Sequence, residues 1–191
     1  MRLFVAVELS RSVRESALEA IAILEPRLDR TIRLRWVSAD QMHLTVRFIG
    51  PVPDDRIPVL LAALAPPMPL EPFDVELDGC GVFPRSGSPR VIWIGLSQGL
   101  GQLQAMHEEF NRRLGTLGFA PEGRPFSAHL TLARIKEIGA PASRLLRDLV
   151  RDVQPRNARC RIDSATVFRS DLSPRGSRYT AVQHVSLTTT R

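Results

Sequence analysis

His43-Leu44-Thr45-Val46 returns in this chain as His129-Leu130-Thr131-Leu132, 86 residues later. Imidazole titrates near ~6.5, so of two such groups one can take a proton while the other, already protonated, gives one up. Threonine hydroxyls can donate to the non-bridging oxygens of a phosphate as charge builds there. Two imidazoles and two hydroxyls around one point suit cleavage of a cyclic phosphodiester, a scheme that needs no metal. A single His-x-Thr would carry little, because threonine is common in strands and a lone strand histidine is usually structural.

The elements that hold these residues read as strands. Successive strand side chains alternate faces, so His43 and Thr45 point one way together with Arg47, and Leu44, Val46 and Phe48 point the other. His129 and Thr131 likewise oppose Leu130 and Leu132. Strict alternation also puts Arg134 opposite His129, so Arg134 needs a bulge or a strand end to reach the same space. Val82-Phe83 recurs as Val167-Phe168 and Ser88-Pro89-Arg90 as Ser173-Pro174-Arg175, both offset by 85. A duplicated half of this length is too long for a solenoid, whose repeats run ~20–50 residues. The expectation is one domain, residues 1–191, with the halves as facing lobes and their polar faces meeting across a cleft.

Along the chain, residues 2–8 form a short strand, and Ser10 caps a helix through about Asp29 with Val13, Ala17, Ile21 and Leu24 on one face. Trp36–Ile49 is extended, and Asp54 or Asp55 opens a helix to about Ala65. Phe73–Phe83 and Arg90–Leu96 form a hairpin. Then come a helix over Gly99–Leu117, an extended stretch Phe126–Ile135, a helix over 141–153, and a second hairpin from Cys160–Phe168 and Tyr179–Leu187. The fold class is α+β: two mainly antiparallel sheets with helices outside.

The 191 residues, 43% of them hydrophobic, suffice for a sizeable core. The net charge of +6 and the pI near 10.8 favour a polyanionic partner. Every basic residue but Lys136 is arginine, whose planar fork suits phosphate. No run approaches the ~18 apolar residues of a membrane span. Cys80 and Cys160 lie in strands at non-equivalent places, as reduced core thiols do, which points to a cytoplasmic protein. Four histidines and two scattered cysteines make no zinc pattern.

The N-terminal MRLFVAVEL, the paired HLTVRF and HLTLAR, and the VFP hairpin at 82–84 resemble the 2H phosphoesterase superfamily. Within it the chain is most similar to the RNA 2′,3′-cyclic phosphodiesterase family, also called 2′-5′ RNA ligase. The resemblance covers essentially the whole chain. It implies a bilobal fold with a V-shaped cleft, no cofactor, hydrolysis of terminal 2′,3′-cyclic phosphates of RNA to 2′-phosphates, and reversible ATP-independent 2′-5′ joining. It implies His129 as general base, His43 as general acid, and Thr45 and Thr131 as phosphate ligands, with Arg134 also matching the family. Which histidine is acid and which base does not follow from the internal symmetry.

Arg85, Arg90, Arg169, Arg175 and Arg178 make the hairpin loops basic and are candidates to contact an RNA backbone. Phe48, Phe126 and Tyr179 are candidates to stack on a terminal base, although alternation assigns Phe48 to the core. Arg47 is a candidate phosphate contact without a basic counterpart, since Ala133 stands in its place. His107 and His184 lack a following threonine and read as structural or surface residues. The expected partner is RNA with a cyclic phosphate end, bound by a monomer. The rival readings are a cyclic phosphodiesterase for a small nucleotide such as ADP-ribose 1″,2″-cyclic phosphate, and a non-catalytic RNA-end binding module.

Overall fold

The computed structural model of the protein describes residues 1–173 and 176–188. Its strands are β1 (Arg2–Glu8), β2 (Arg33–Trp36), β3 (His43–Pro51), β4 (Phe73–Phe83), β5 (Val91–Gln98), β6 (Leu130–Glu137), β7 (Arg159–Ile162), β8 (Ser164–Ser173) and β9 (Gly176–Ser186). The helices are α1 (Arg11–Leu24), α2 (Ile57–Leu64), α3 (Leu100–Gly115) and α4 (Ala140–Arg151). The strands run in the order β7-β4-β5-β6-β3-β1-β8-β9, with β2 added on β6, and pair antiparallel throughout. The α+β class holds. The two expected sheets are joined edge to edge, with Leu44 opposite Leu130 as the one register pair between β3 and β6.

Each lobe draws on both halves of the sequence. β8, from the second half, pairs with β1, from the first; β5, from the second half, pairs with β4 from the first. The helices cross over as well. Ser10 at the head of α1 donates its backbone N–H to Cys160 Sγ in β7 at 3.1 Å, and Ser16 in α1 donates to Arg156 O at 2.6 Å. α3 packs against β3 in the other lobe. The repeated halves are therefore not themselves the lobes, which is a correction to the sequence reading.

Local boundaries follow from local chemistry. α1 has its Ser10 cap and buries Val13, Ala17, Ile21 and Leu24, but it stops at Leu24 rather than Asp29. Pro26 carries no N–H and its ring crowds the preceding turn, so residues 25–27 tighten into a 3-10 turn. The extended stretch expected from Trp36 breaks at a 3-10 turn over Ala39–Gln41, which sends β2 to β6 and β3 to β1. Cys160–Phe168 divides at Asp163, leaving β7 in one lobe and β8 in the other. α3 buries Leu103, Met106, Phe110 and Leu114 completely, while Leu100 at its first position is exposed.

One irregularity occurs in both halves. Along β3, Thr45 lies opposite Ala6 and Arg47 opposite Val5, so Val46 is an extra residue. Along β6, Thr131 lies opposite Trp93 and Ala133 opposite Ile92, so Leu132 is extra. A bulge of one residue reverses the alternation beyond it. Val46 and Arg47 are accordingly buried in succession, as are Leu132 and Ala133, and Phe48 and Arg134 emerge on the face of the histidines.

Candidate functional site

Leu44 and Leu130 face each other across the seam with their side chains fully buried. Because the strands are antiparallel, their neighbours turn to the opposite face, with His43 beside Thr131 and Thr45 beside His129. The two motifs thus meet in one sheet about a local twofold axis, at the floor of the cleft.

Both imidazoles are set the same way. His43 donates from Nδ1 to Gln41 O at 2.7 Å, and His129 donates from Nδ1 to Ser127 O at 2.7 Å. A carbonyl can only accept, so each ring carries its proton on Nδ1 and leaves Nε2 as the reactive nitrogen. Thr45 Oγ1 donates to His43 Nε2 at 3.1 Å. The echoed phenylalanines pack against the histidines across the crossed halves: Phe168 has its ring centroid 6.4 Å from that of His43, and Phe83 stands edge-on 5.0 Å from His129. Phe4 and Tyr179 complete the wall at His43, at 5.0 and 5.2 Å.

The two histidines are not electrostatically equal. Burial, reinforced by the nearby charges of Arg134, His129 and Arg14, brings the His43 pKa down to about 4 against the support of the Gln41 carbonyl. Burial also lowers that of His129, with Arg134 adding to the effect and the Ser127 carbonyl opposing it. Arg134 acts on both rings. It sits between Val91 and Arg35 in register and lines a cavity of about 250 Å³ with Arg35, Trp36, His43, Thr45, Thr131 and Tyr179. A second cavity, about 900 Å³, opens on the side of His129 and is walled by Thr45, Phe83, Arg90, Arg124 and Phe126.

Arg47 lies elsewhere. It is 4% exposed, donates to the carbonyls of Phe48 and Ala120, and pairs with Glu122 at 3.5 Å. The bulge at Val46 turns it off the cleft face and into the layer under α3, so it ties the segment before His129 to β3. Phe48 takes the cleft face in its place, 39% exposed and stacked on Phe4 at 6.3 Å. Tyr179 reaches the smaller cavity and Phe126 the larger one. Of the loop arginines, Arg90 lines the larger cavity, Arg169 is paired with Asp171 at 2.8 Å, and Arg175 lies outside the described residues. His184 meets Thr166 Oγ1 at 2.9 Å, away from both cavities. Arg35, Trp36 and Gln41 were missed in the sequence, because nothing in a short polar stretch signals that its strand docks on β6. Among the described residues no group of three or more His, Cys, Asp or Glu side chains could hold a metal ion, and no helix is long and apolar enough to cross a membrane.

A curled antiparallel sheet whose paired His-x-Thr strands meet at its centre defines a 2H phosphoesterase fold. The chain belongs to the 2′-5′ RNA ligase superfamily, whose family model matches residues 13–174. It is 34% identical to the RNA 2′,3′-cyclic phosphodiesterase of Thermus thermophilus over 98% of this chain and 90% of that protein. With the protein of the same name from Aeropyrum pernix it shares 40% identity over 105 residues, which are 55% of this chain and span only 59% of that relative's length. The crystal structure of E. coli LigT complexed with 3′-AMP superposes with a TM-score of 0.76 at 25% identity, covering 98% of both chains.

Proposed function

We propose that this protein hydrolyses the 2′,3′-cyclic phosphate at the 3′ end of RNA to a 2′-phosphate, with His129 as general base and His43 as general acid. The observation that carries the reading is the seam: Leu44 opposite Leu130 gathers two Nε2 atoms and two threonine hydroxyls on one face, beside Arg134. In the reaction His129 Nε2 takes a proton from water, whose oxygen bonds to phosphorus. The bond from phosphorus to the 3′-oxygen breaks, and His43 gives its proton to that oxygen. Arg134 and the two threonines hold the non-bridging oxygens as negative charge gathers on them.

Free His43 is neutral at pH 7, since its pKa is held at about 4. An anionic phosphate docked beside Nε2 raises that pKa and supplies the protonated acid where it is needed. The phosphate also displaces the Thr45 hydroxyl from Nε2, freeing it to bind an oxygen of the substrate.

The 900 Å³ cavity on the His129 side favours a second use of the same centre. It is far larger than one water requires, and the 5′-hydroxyl of another RNA strand entering there would give a 2′-5′ linkage by the same bond changes. The test is an oligonucleotide ending in a 2′,3′-cyclic phosphate, incubated with the protein alongside small cyclic nucleotides. A 2′-phosphate product, lost in His43→Ala and in His129→Ala, is expected. A 3′-phosphate product, or turnover confined to the small nucleotides, overturns the reading, and tight binding without turnover identifies a binding module.

A further inference from the structure

His107 stands apart from the paired motifs, yet it touches the supports of both. It is 7% exposed on α3 and donates from Nδ1 to the carbonyl of Val46 at 2.7 Å. Val46 is the extra residue of the β3 bulge, directly after Thr45. On its other side the His107 ring lies flat against Phe126, centroids 4.5 Å apart and planes within 19°. Phe126 lines the larger cavity and precedes Ser127, whose carbonyl receives the Nδ1–H of His129.

The state of the ring follows from its partners. The Val46 carbonyl can only accept, so Nδ1 bears the proton; Nε2 then accepts from Asn111 Nδ2 at 2.8 Å. The amide leaves its own buried Oδ1 without a partner among the described residues, so its orientation is the one the ring requires. Glu122 lies 4.0 Å from Nδ1 and is shared with Arg47. The matching bulge in β6 gives an internal comparison: there the Leu132 carbonyl is taken by the backbone N–H of Val37 at 2.8 Å. Both bulges need a donor. In β6 the backbone supplies it, and in β3 one side chain does.

We propose that His107 is a positioning residue for both halves of the centre, holding Thr45 through the Val46 carbonyl and the approach to His129 through Phe126. This rests on the functional reading above. Without the donor the Val46 carbonyl is buried and unpaired, and the bulge that separates Thr45 from Arg47 relaxes. Without the ring, Phe126 is free to turn and the wall of the larger cavity loosens.

Two variants separate the contacts. His107→Phe keeps a ring against Phe126 and removes the donor; His107→Asn keeps an amide donor near the place of Nδ1 and removes the ring. With a cyclic-phosphate oligonucleotide, His107→Phe is expected to lower kcat by about tenfold to about a hundredfold, the scale of a misplaced group, at nearly constant KM. His107→Asn is expected to raise KM by about tenfold, the scale of a lost stack, and to keep most of kcat. Wild-type parameters in both variants, or kcat and KM failing together in both, overturn the proposal. Should His107→Phe not fold, Asn111→Ala removes the donor that fixes the ring, and an unchanged kcat there also overturns it. A wild-type protein without turnover defeats the functional reading instead, and calorimetric binding of a 2′-phosphonucleoside then decides whether His107→Asn weakens the site as expected or leaves it unchanged and overturns the proposal.

Discussion

Replacing Arg47 by Met and, separately, Arg134 by Met should break two different properties of the protein. Arg47 is buried and makes three polar contacts, to Phe48 O, Ala120 O and Glu122. At 3.5 Å and an effective dielectric of ~20 the ion pair is worth about 5 kcal/mol gross. Much of that is cancelled when Glu122, about a third exposed, recovers water. The two carbonyls left without donors cost about 1–3 kcal/mol each. A net loss of about 3 kcal/mol is expected, lowering Tm by about 6–12 °C for a chain of this size. Arg134 lies on the cleft face, so Arg134→Met should change stability by less than about 0.5 kcal/mol. It should weaken phosphate binding by about tenfold to about a hundredfold, the worth of a charge-assisted hydrogen bond. Urea unfolding measures the first property, and calorimetry with a 2′-phosphonucleoside, run well below the Tm of both variants, measures the second. An Arg47→Met protein with unchanged stability and lost phosphate affinity would put the guanidinium in the cleft, and the bulge argument would be wrong.

Three further outcomes are expected. In the free protein the ring protons of His43 should titrate near pH 4, and at a higher pH once phosphate is bound; a midpoint near ~6.5 in the free protein counts against its desolvation. Above ~6.5 the ring is neutral in both the folded and unfolded states, and as pH falls toward 4 the unfolded chain gains a proton that the folded one refuses. Stability should therefore drop by about 3 kcal/mol across that window, read from urea midpoints at each pH. Gly81→Ala should destabilise by about 1–3 kcal/mol, because a Cβ there would stand 2.3 Å from the Trp93 ring, which supports Phe83 and through it His129. Its kcat should fall with it; a variant as stable and active as wild type would show that the ring moves freely. Turnover should survive EDTA, since the proposed roles are filled by His43, His129, the threonines and Arg134.

The paired motifs, the strand that carries each and the α+β class were legible because they depend on periodicity two and on a repeated tetrapeptide. The bulges were not, since an extra residue leaves no mark in composition: Val46 and Leu132 are ordinary strand residues. That one omission reversed Arg47 and Phe48, and it left Arg134 on the wrong face until a bulge was admitted. The crossing of strands between halves was equally hidden, because a repeat shows that two segments are alike and says nothing about which pairs with which. His107 read as incidental for a related reason: its partners, Val46 and Phe126, lie 61 and 19 residues away in the chain.

The crossing also sets an order of assembly. β1 finds one neighbour, β3, within its own half, but its other edge is closed by β8, with Leu3 opposite Arg169. At the roughly 5–20 residues per second of synthesis, those two residues leave the ribosome about ten to thirty seconds apart. For that interval an all-apolar strand, Leu3 to Val7, waits with an open edge, and so does β4 until β5 follows it. A chain cut in the 84–90 loop would leave both edges open in the separated fragments, which should stay unfolded apart and recover their structure only when mixed.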